Sequence, residues 1–266
     1  MANPARKLAF IIASTDHGTF IVNRYDQHRI APDQAYGVGF QLLEKASHDA
    51  GEVDMVMRLL DLRRHYHGDG VVAVDCGANL GVHTIDWAKR MTGWGTVIAI
   101  EAQERIYYAL AGNVAINNCF NARAIHAVVS NQVGTMRVPE PNYLVAGSFG
   151  SLELKKRDQT EFIGQNIDYS ENKMVEVRTL TLDSLNLSRL DLIKMDVEGM
   201  ELEALEGGGK CIAARLPILV VETIKTDKAK LRSSLENLGY SVFDSGMNCI
   251  AVHKTDKTLG HINIAG

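Results

Sequence analysis

The segment Asp75-Cys76-Gly77-Ala78-Asn79-Leu80-Gly81 sets an acidic residue, two glycines and an asparagine at alternate positions. Glycine admits positive φ and lets a ligand approach the main chain, and asparagine tolerates the left-handed region better than most residues. Such a loop, followed at once by a helix, turns backbone N–H groups and the helix N-terminus toward a ligand. The dinucleotide fingerprint G-x-G-x-x-G is not met, because Cys76 is not glycine and three residues separate Gly77 from Gly81. The pattern suits a ligand with an amino-acid tail, whose ammonium Asp75 can hold directly or through water. Glu101, at the end of the next strand, can accept hydrogen bonds from both hydroxyls of a ribose, and it disfavours a 2′-phosphate. Each carboxylate alone is also what a polar strand end looks like. The two together, one βαβ unit apart, point to a nucleoside-bearing ligand.

A second constellation is Lys194-Met195-Asp196-Val197-Glu198-Gly199-Met200-Glu201. Asp196 falls at the end of a strand, on the edge that faces the ligand crevice of an open α/β sheet. Asp196 and Glu198 are therefore candidates for a general base or a substrate contact. The competing reading has them cap the following helix while Lys194 pairs with one of them. Glu201 reads as structural. Asp196, Glu198 and Glu222 are hard oxygen donors of the kind magnesium takes, but their spacing defines no site and no metal is expected. Thr84 and His83, in the first turn after the glycine loop, are candidate contacts to the carboxylate of such a ligand, or plain helix residues. Asn113 and Asn117 are one helical turn apart and suit bridging to a neighbouring loop. Ser148 and Ser151 lie in an irregular stretch and read first as loop residues. Cys76 reads as a small filler, not a nucleophile.

These residues need a frame. Val71 to Val74 is a continuous apolar run, as in a strand buried on both faces, and Thr96 to Ile100, Ala122 to Val129, Leu190 to Met195 and Ile218 to Val221 read as further strands. Helical spacing over Val82–Met91, Glu104–Asn117, Glu201–Ala214 and Asp227–Leu238 alternates with them, which predicts parallel βαβ units and an α/β sheet. Ser241–Asp244 and Cys249–His253, around Ser245-Gly246, predict a closing antiparallel hairpin. Ahead of this frame lie a predicted hairpin at 8–13 and 19–23, a stretch at 24–50 with few signals, and an amphipathic helix from Glu52 to Tyr66. Residues 1–50 are read as an N-terminal extension and 51–266 as the main domain. Residues 139–173, with two prolines and no clear period, read as an insertion or lid.

The chain has 266 residues, 46% hydrophobic and 23% charged, which suffices for a full core. A net charge of −4 supplies no general field for nucleic acid, and no nucleic-acid partner is expected. Four dispersed cysteines without a C-x-x-C pair suit a reduced, cytoplasmic setting. Leu8–Ala13 follows Arg6 and Lys7 but is too short for a signal peptide, and no run approaches a membrane span, so no membrane partner is expected.

Val74-Asp75-Cys76-Gly77-Ala78-Asn79-Leu80-Gly81-Val82-His83-Thr84, Ile100-Glu101-Ala102, Thr179–Leu185, Leu192–Glu201, Leu205–Gly208 and Val221-Glu222 together resemble the FkbM-type family of class I S-adenosylmethionine-dependent methyltransferases. The K-x-D-x-E-G-x-E stretch is the most specific part, and the resemblance covers roughly residues 53–253. It implies a Rossmann-like, doubly wound, mostly parallel seven-stranded sheet with helices on both faces. It also implies S-adenosylmethionine as cofactor, bound by Asp75, Gly77, Ala78, Asn79, Gly81, Thr84, Glu101 and Ala102, with Asp196 and Glu198 as catalytic candidates. The expected activity is O-methylation of a hydroxyl on a small molecule or glycan. The sequence departs from the family where Ala102-Gln103 replaces the usual proline region, and 1–50 carries no family motif. The rival readings are an NAD-dependent oxidoreductase, which lacks its third glycine and a Tyr-x-x-x-Lys pair here, and a non-catalytic nucleoside-binding module.

Overall fold

A computed structural model describes residues 6–31 and 34–262. The outermost residues of the extension and of the main domain, and positions 32–33, lie outside the described residues. The chain opens with the hairpin β1 (Phe10–Thr15) and β2 (Gly18–Asn23), then a small pair, β3 (His28–Ala31) and β4 (Gln34–Tyr36), and the helices α1 (Val38–Lys45) and α2 (Ala50–His67). The alternating part follows as β5 (Val71–Cys76), α3 (Val82–Arg90), β6 (Gly95–Glu101), α4 (Glu104–Ile116) and β7 (Ala122–His126). The strands β8 (Val128–Val129), β9 (Gly134–Pro139) and β10 (Met174–Leu180) form a separate three-stranded sheet. The chain then returns through β11 (Leu192–Met195), α5 (Glu201–Gly207), α6 (Gly209–Arg215), β12 (Ile218–Glu222), α7 (Lys228–Asn237), β13 (Tyr240–Ser245) and β14 (Asn248–His253).

The main sheet has seven strands in the order β13-β14-β12-β11-β5-β6-β7, as expected. The five from β12 to β7 are parallel, and β14 and β13 close the edge antiparallel. Successive residues of each central strand feed opposite cores. Val71, Ala73, Leu192, Ile218 and Val220 pack with Leu60, Ile85 and Trp87 on the face of α2 and α3. Val74, Cys76, Ile193, Met195 and Leu219 pack with Leu205, Ile212 and Leu235 on the face of α5, α6 and α7. Burial on both faces is why these strands are rich in apolar residues at successive positions.

The strand order carries the functional consequence. From β5 the chain moves one way to β6 and β7, then crosses to β11 on the other side of β5. The carboxyl ends of β5 and β11 therefore flank the switch point, where an open α/β sheet forms its ligand crevice. Asp75 and Asp196 stand at those two ends.

Three sequence expectations change. The strand foreseen over 122–129 is two, because after β7 the chain leaves the main sheet and β8 pairs with β10. The helix foreseen over 201–214 is broken into α5 and α6 at Gly207-Gly208-Gly209, a run with weak helix propensity. A Cβ at Gly207 would sit 2.1 Å from the Ser130 carbonyl oxygen, so this break also lets the helix approach that backbone. The low-signal stretch 24–50 contains β3, β4 and α1.

The irregular 139–173 stretch has only short 3-10 turns after β9, yet it is anchored. Phe149, Leu152 and Ile163 are buried, and the Phe149 N–H donates to Asp26 Oδ1 at 2.9 Å. The extension is anchored as well. Asn113 Oδ1 accepts from Ile21 N at 2.6 Å, and Asn117 exchanges hydrogen bonds with Thr19, so α4 acts as a side-chain edge for β2.

Candidate functional site

A cavity of about 350 Å³ occupies the switch point. Its sheet-side wall is the glycine loop. Gly77 N and Ala78 N both donate to the Ile100 carbonyl, which ties the loop to the end of β6. Gly77 has φ +79°, and a Cβ there would lie 1.8 Å from the Asp196 carbonyl oxygen, so only glycine fits between β5 and β11. Asn79 takes the left-handed φ of 49° and donates its N–H to Glu101 Oε2 at 2.9 Å. Gln103 N donates to Glu101 Oε1 at 2.7 Å. The Glu101 carboxylate is thus fixed in orientation by backbone on both oxygens, and each keeps a further acceptor position. Burial pushes its carboxyl up to about 7, against the backbone hydrogen bonds that lower it.

Asp75 is almost fully buried. Its Oδ2 accepts from Thr84 Oγ1 at 2.6 Å, while Oδ1 has no hydrogen-bond partner among the described residues. Burial raises the carboxyl above its ordinary range, opposed by Lys194 and Thr84. Gly77, Ala78, Asn79, Glu101 and Ala102 line the cavity with Asp75. Thr84 and Gly81, expected at the same wall, do not line it. Thr84 stands behind Asp75 and acts on it, and Gly81 (φ +88°) starts α3 against Leu110.

Beside this wall lie the charges at the end of β11. Lys194 Nζ donates to Asp196 Oδ2 at 2.9 Å. Burial alone would lower the lysine, but Asp196, Asp75 and Glu52 outweigh it and hold the ammonium well above its ordinary value. Glu198 has φ 53°, a left-handed backbone rare for a non-glycine residue, and its carboxylate binds Lys225 Nζ. Burial, then the neighbouring Asp196, push the Glu198 carboxyl well up. Lys225 is saturated, because it also meets Glu161 and the Ser151 carbonyl, each at 2.8 Å. Glu222 ends β12 beside Asp196. Among the described residues its carboxylate makes no hydrogen bond or ion pair, and Oε2 is shut off from water. Burial and the charge of Asp196 push it up to about 8. Glu201, read as structural, accepts from Val197 N and Gly199 N and shapes this loop. Among the described residues no group of three or more His, Cys, Asp or Glu side chains is arranged to hold a metal ion.

The sequence profile of the Methyltransferase FkbM domain matches residues 75–242, from the glycine loop to the penultimate strand of the sheet. The chain belongs to the FkbM methyltransferase family. The matched segment is a methyltransferase domain of that family, set on the doubly wound sheet. No curated protein matches the chain. Among solved structures it is similar to the methyltransferase FkbM from Methylobacillus flagellatus KT, at 18% identity over 70% of this chain and 43% of that one, with a TM-score of 0.48. It is also similar to precorrin-6y C5,15-methyltransferase from Geobacter metallireducens GS-15, at 15% identity over 79% and 89% of the two chains, TM-score 0.42. A third is a SAM-dependent methyltransferase from Aquifex aeolicus, at 13% identity over 77% and 97%, TM-score 0.36. The chain thus spans less than half the length of the Methylobacillus protein.

The FkbM domain does not enclose its cavity alone. Tyr36, Val38, Gln41, His48 and Glu52 line it from before residue 75, and Met247 and Asn248 from beyond residue 242. Sequence reading missed Glu52, Asn248 and Lys225. Glu52 and Asn248 are 196 positions apart yet joined at 2.7 Å. The one available signal was that Glu52 opens an amphipathic helix, which reads as a favourable first-turn charge. His83 lines the cavity and is buried against Trp87, so it is not a solvent-facing helix residue. Ser148 and Ser151 both line the cavity and share a 3.0 Å hydroxyl contact. Among the described residues no helix is long and apolar enough to cross a membrane.

Proposed function

We propose that the protein transfers the methyl group of S-adenosylmethionine to a hydroxyl of a small molecule or glycan, with Glu222 as the proton acceptor. The observation that carries this reading is the free Glu222 carboxylate. Three carboxylates crowd the ends of β11 and β12, and two of them, Asp196 and Glu198, are each tied to a lysine. Glu222 alone of the three has no such partner among the described residues, and it lines the cavity. A hydroxyl must lose its proton as the new bond to carbon forms, and a carboxyl poised near 8 is suited to take it.

The residues present fit the cofactor. Asp75 has a buried oxygen without a partner, which suits the ammonium of an amino-acid tail. The two backbone-held oxygens of Glu101 suit a ribose diol, and Gly77 leaves room for main-chain approach. When bound, S-adenosylmethionine supplies a methyl group on a positively charged sulfur. The chain orients the acceptor and removes its proton. In this reading Asp196 and Glu198 face the reaction centre as positioning groups: Asp196 is held by Lys194, and Glu198 fixes Lys225. The acceptor is a small-molecule or glycan partner, and the activity belongs to the cytoplasm.

The test uses S-adenosylmethionine with a labelled methyl group and a panel of sugars, polyols, phenols, amines and carboxylates. Label on a hydroxyl acceptor, lost in Glu222→Gln, is the expected result. Label only on amines or carboxylates would overturn the O-methylation reading.

A further inference from the structure

We propose that the end of the cavity away from Glu101 binds an ammonium group of the acceptor, with Glu52 as its partner, so that the substrate is a hydroxyl compound that also carries an amine. This rests on the methyltransferase reading and names the substrate class of the same site.

The charge balance there is one-sided. Asp49, Glu52, Glu161, Asp196, Glu198 and Glu222 line this end, against Lys194 and Lys225. Neither lysine is available to an anion. Lys225 spends its three donor positions on Glu198, Glu161 and the Ser151 carbonyl, and Lys194 serves Asp196 with Asp75 and Glu52 close by. Burial lowers the pKa of both His48 and His83 and so disfavours positive charge on these imidazoles. A phosphate or carboxylate on the acceptor would find no free cation there, whereas an ammonium finds the unpartnered oxygen of Glu52.

Glu52 is the group built to receive it. Its Oε2 is held by Asn248 Nδ2 at 2.7 Å, which fixes the carboxylate. Its Oε1 is buried without a hydrogen-bond partner among the described residues, and the His83 ring nitrogen Nε2 stands 3.5 Å away, an ion-pair contact only if the imidazole is protonated. His83 is itself 8% exposed, lines the cavity and has an unpartnered Nδ1. Glu52 Oε1 and His83 Nδ1 are thus neighbouring buried polar atoms without hydrogen-bond partners among the described residues, a costly arrangement in a closed fold and a natural one for a polar ligand. The turn that presents Glu52 is clamped. His48 N and Ser47 Oγ lie 3.1 Å from His17 Nε2, and His17 Nδ1 meets Asp86 at 2.6 Å. His17 thereby joins the first hairpin to the start of α2, which gives the N-terminal extension a role in substrate selection. An ammonium held by a carboxylate has no lone pair to attack carbon, so methyl transfer falls to a hydroxyl of the same molecule, whose proton goes to Glu222.

The experiment is calorimetric titration of the protein saturated with S-adenosylhomocysteine, using glucosamine, glucose and glucose 6-phosphate as probes. Glucosamine should bind at least about tenfold tighter than glucose, the effect of about 1.4 kcal/mol, and glucose 6-phosphate should bind weakest. Raising the pH until the glucosamine amine is neutral should remove its advantage in the unaltered protein. Glu52→Gln should remove it at neutral pH, with S-adenosylhomocysteine affinity within about twofold of wild type as proof of folding. Equal binding of glucosamine and glucose, or preference for the phosphate, overturns the ammonium site. Failure to bind S-adenosylhomocysteine would instead overturn the methyltransferase reading on which it rests.

Discussion

The two walls of the cavity are built in different ways. The wall of β5 and β6 is made of backbone: Gly77 and Ala78 on the Ile100 carbonyl, and Asn79 and Gln103 on the two oxygens of Glu101. The rest of the lining is made of side chains from segments remote in sequence: Glu52, Glu161, Asp196, Glu222, Lys225 and Asn248. Backbone geometry tolerates almost no change, while a side-chain wall can be rewritten position by position. A fixed cofactor suits the first and a variable acceptor the second.

The comparison breaks most sharply at Gly77. Gly77→Ala forces a Cβ to 1.8 Å from the Asp196 carbonyl at φ +79°. It should cost at least about 3 kcal/mol of stability and abolish cofactor binding. Thermal unfolding with and without S-adenosylhomocysteine measures both. An unchanged melting temperature would mean that the two strand ends are not locked together.

On the side-chain wall the loss should fall on turnover alone. Glu222→Gln should lower kcat by about 100-fold, within the range for loss of a general base, and leave S-adenosylhomocysteine affinity within about twofold. The raised pKa also fixes a sign. The Glu222 carboxyl is protonated below about 8 and ionised above it, so kcat/KM should climb with pH through that value and level off. In Glu222→Gln this rise should vanish. A profile that falls with pH, or survives the substitution, points to another base.

Glu101 provides a smaller contrast, in stability. Its folded carboxyl, at about 7, lies above the ordinary glutamate value of 4.5. The folded protein therefore holds this proton more tightly than the unfolded chain. Stability from this group is complete below about 4.5 and is lost as pH rises toward 7. Above 7 the deficit is about 3 kcal/mol by proton linkage, so Glu101→Gln should unfold later than wild type in urea at pH 8 while losing affinity for S-adenosylhomocysteine. Smallest of all, Thr84→Val removes one hydrogen bond to Asp75 and should weaken that affinity by only several-fold, about 1 kcal/mol. A larger loss would mean that Thr84 meets the ligand itself.

The same division explains what the sequence made legible. Strands buried on both faces leave apolar residues at successive positions, and the glycine loop with Glu101 is local, so the sheet and the backbone wall could be read directly. The side-chain wall could not. Glu52 looks like an ordinary first-turn glutamate until α2 packs beside β14 and brings Asn248 to it. Thr84 looks like a ligand contact until α3 turns it behind Asp75. The strands β3 and β4 are too short for a pattern, and the place where β7 ends and β8 begins is decided by β10, some fifty residues later. Asp196 and Glu198 were visible as acids, but only the fold reveals that each is already paired and that Glu222, among the described residues, is not.

The central claim is that the backbone wall holds an S-adenosyl cofactor through Asp75 and Glu101. Calorimetric titration with S-adenosylhomocysteine and, separately, with NAD tests it most directly. One site per chain for S-adenosylhomocysteine, weakened by about 100-fold in Asp75→Asn as expected for a buried charged hydrogen bond, with no heat from NAD, is the predicted result. Folded protein that binds NAD and not S-adenosylhomocysteine would contradict it.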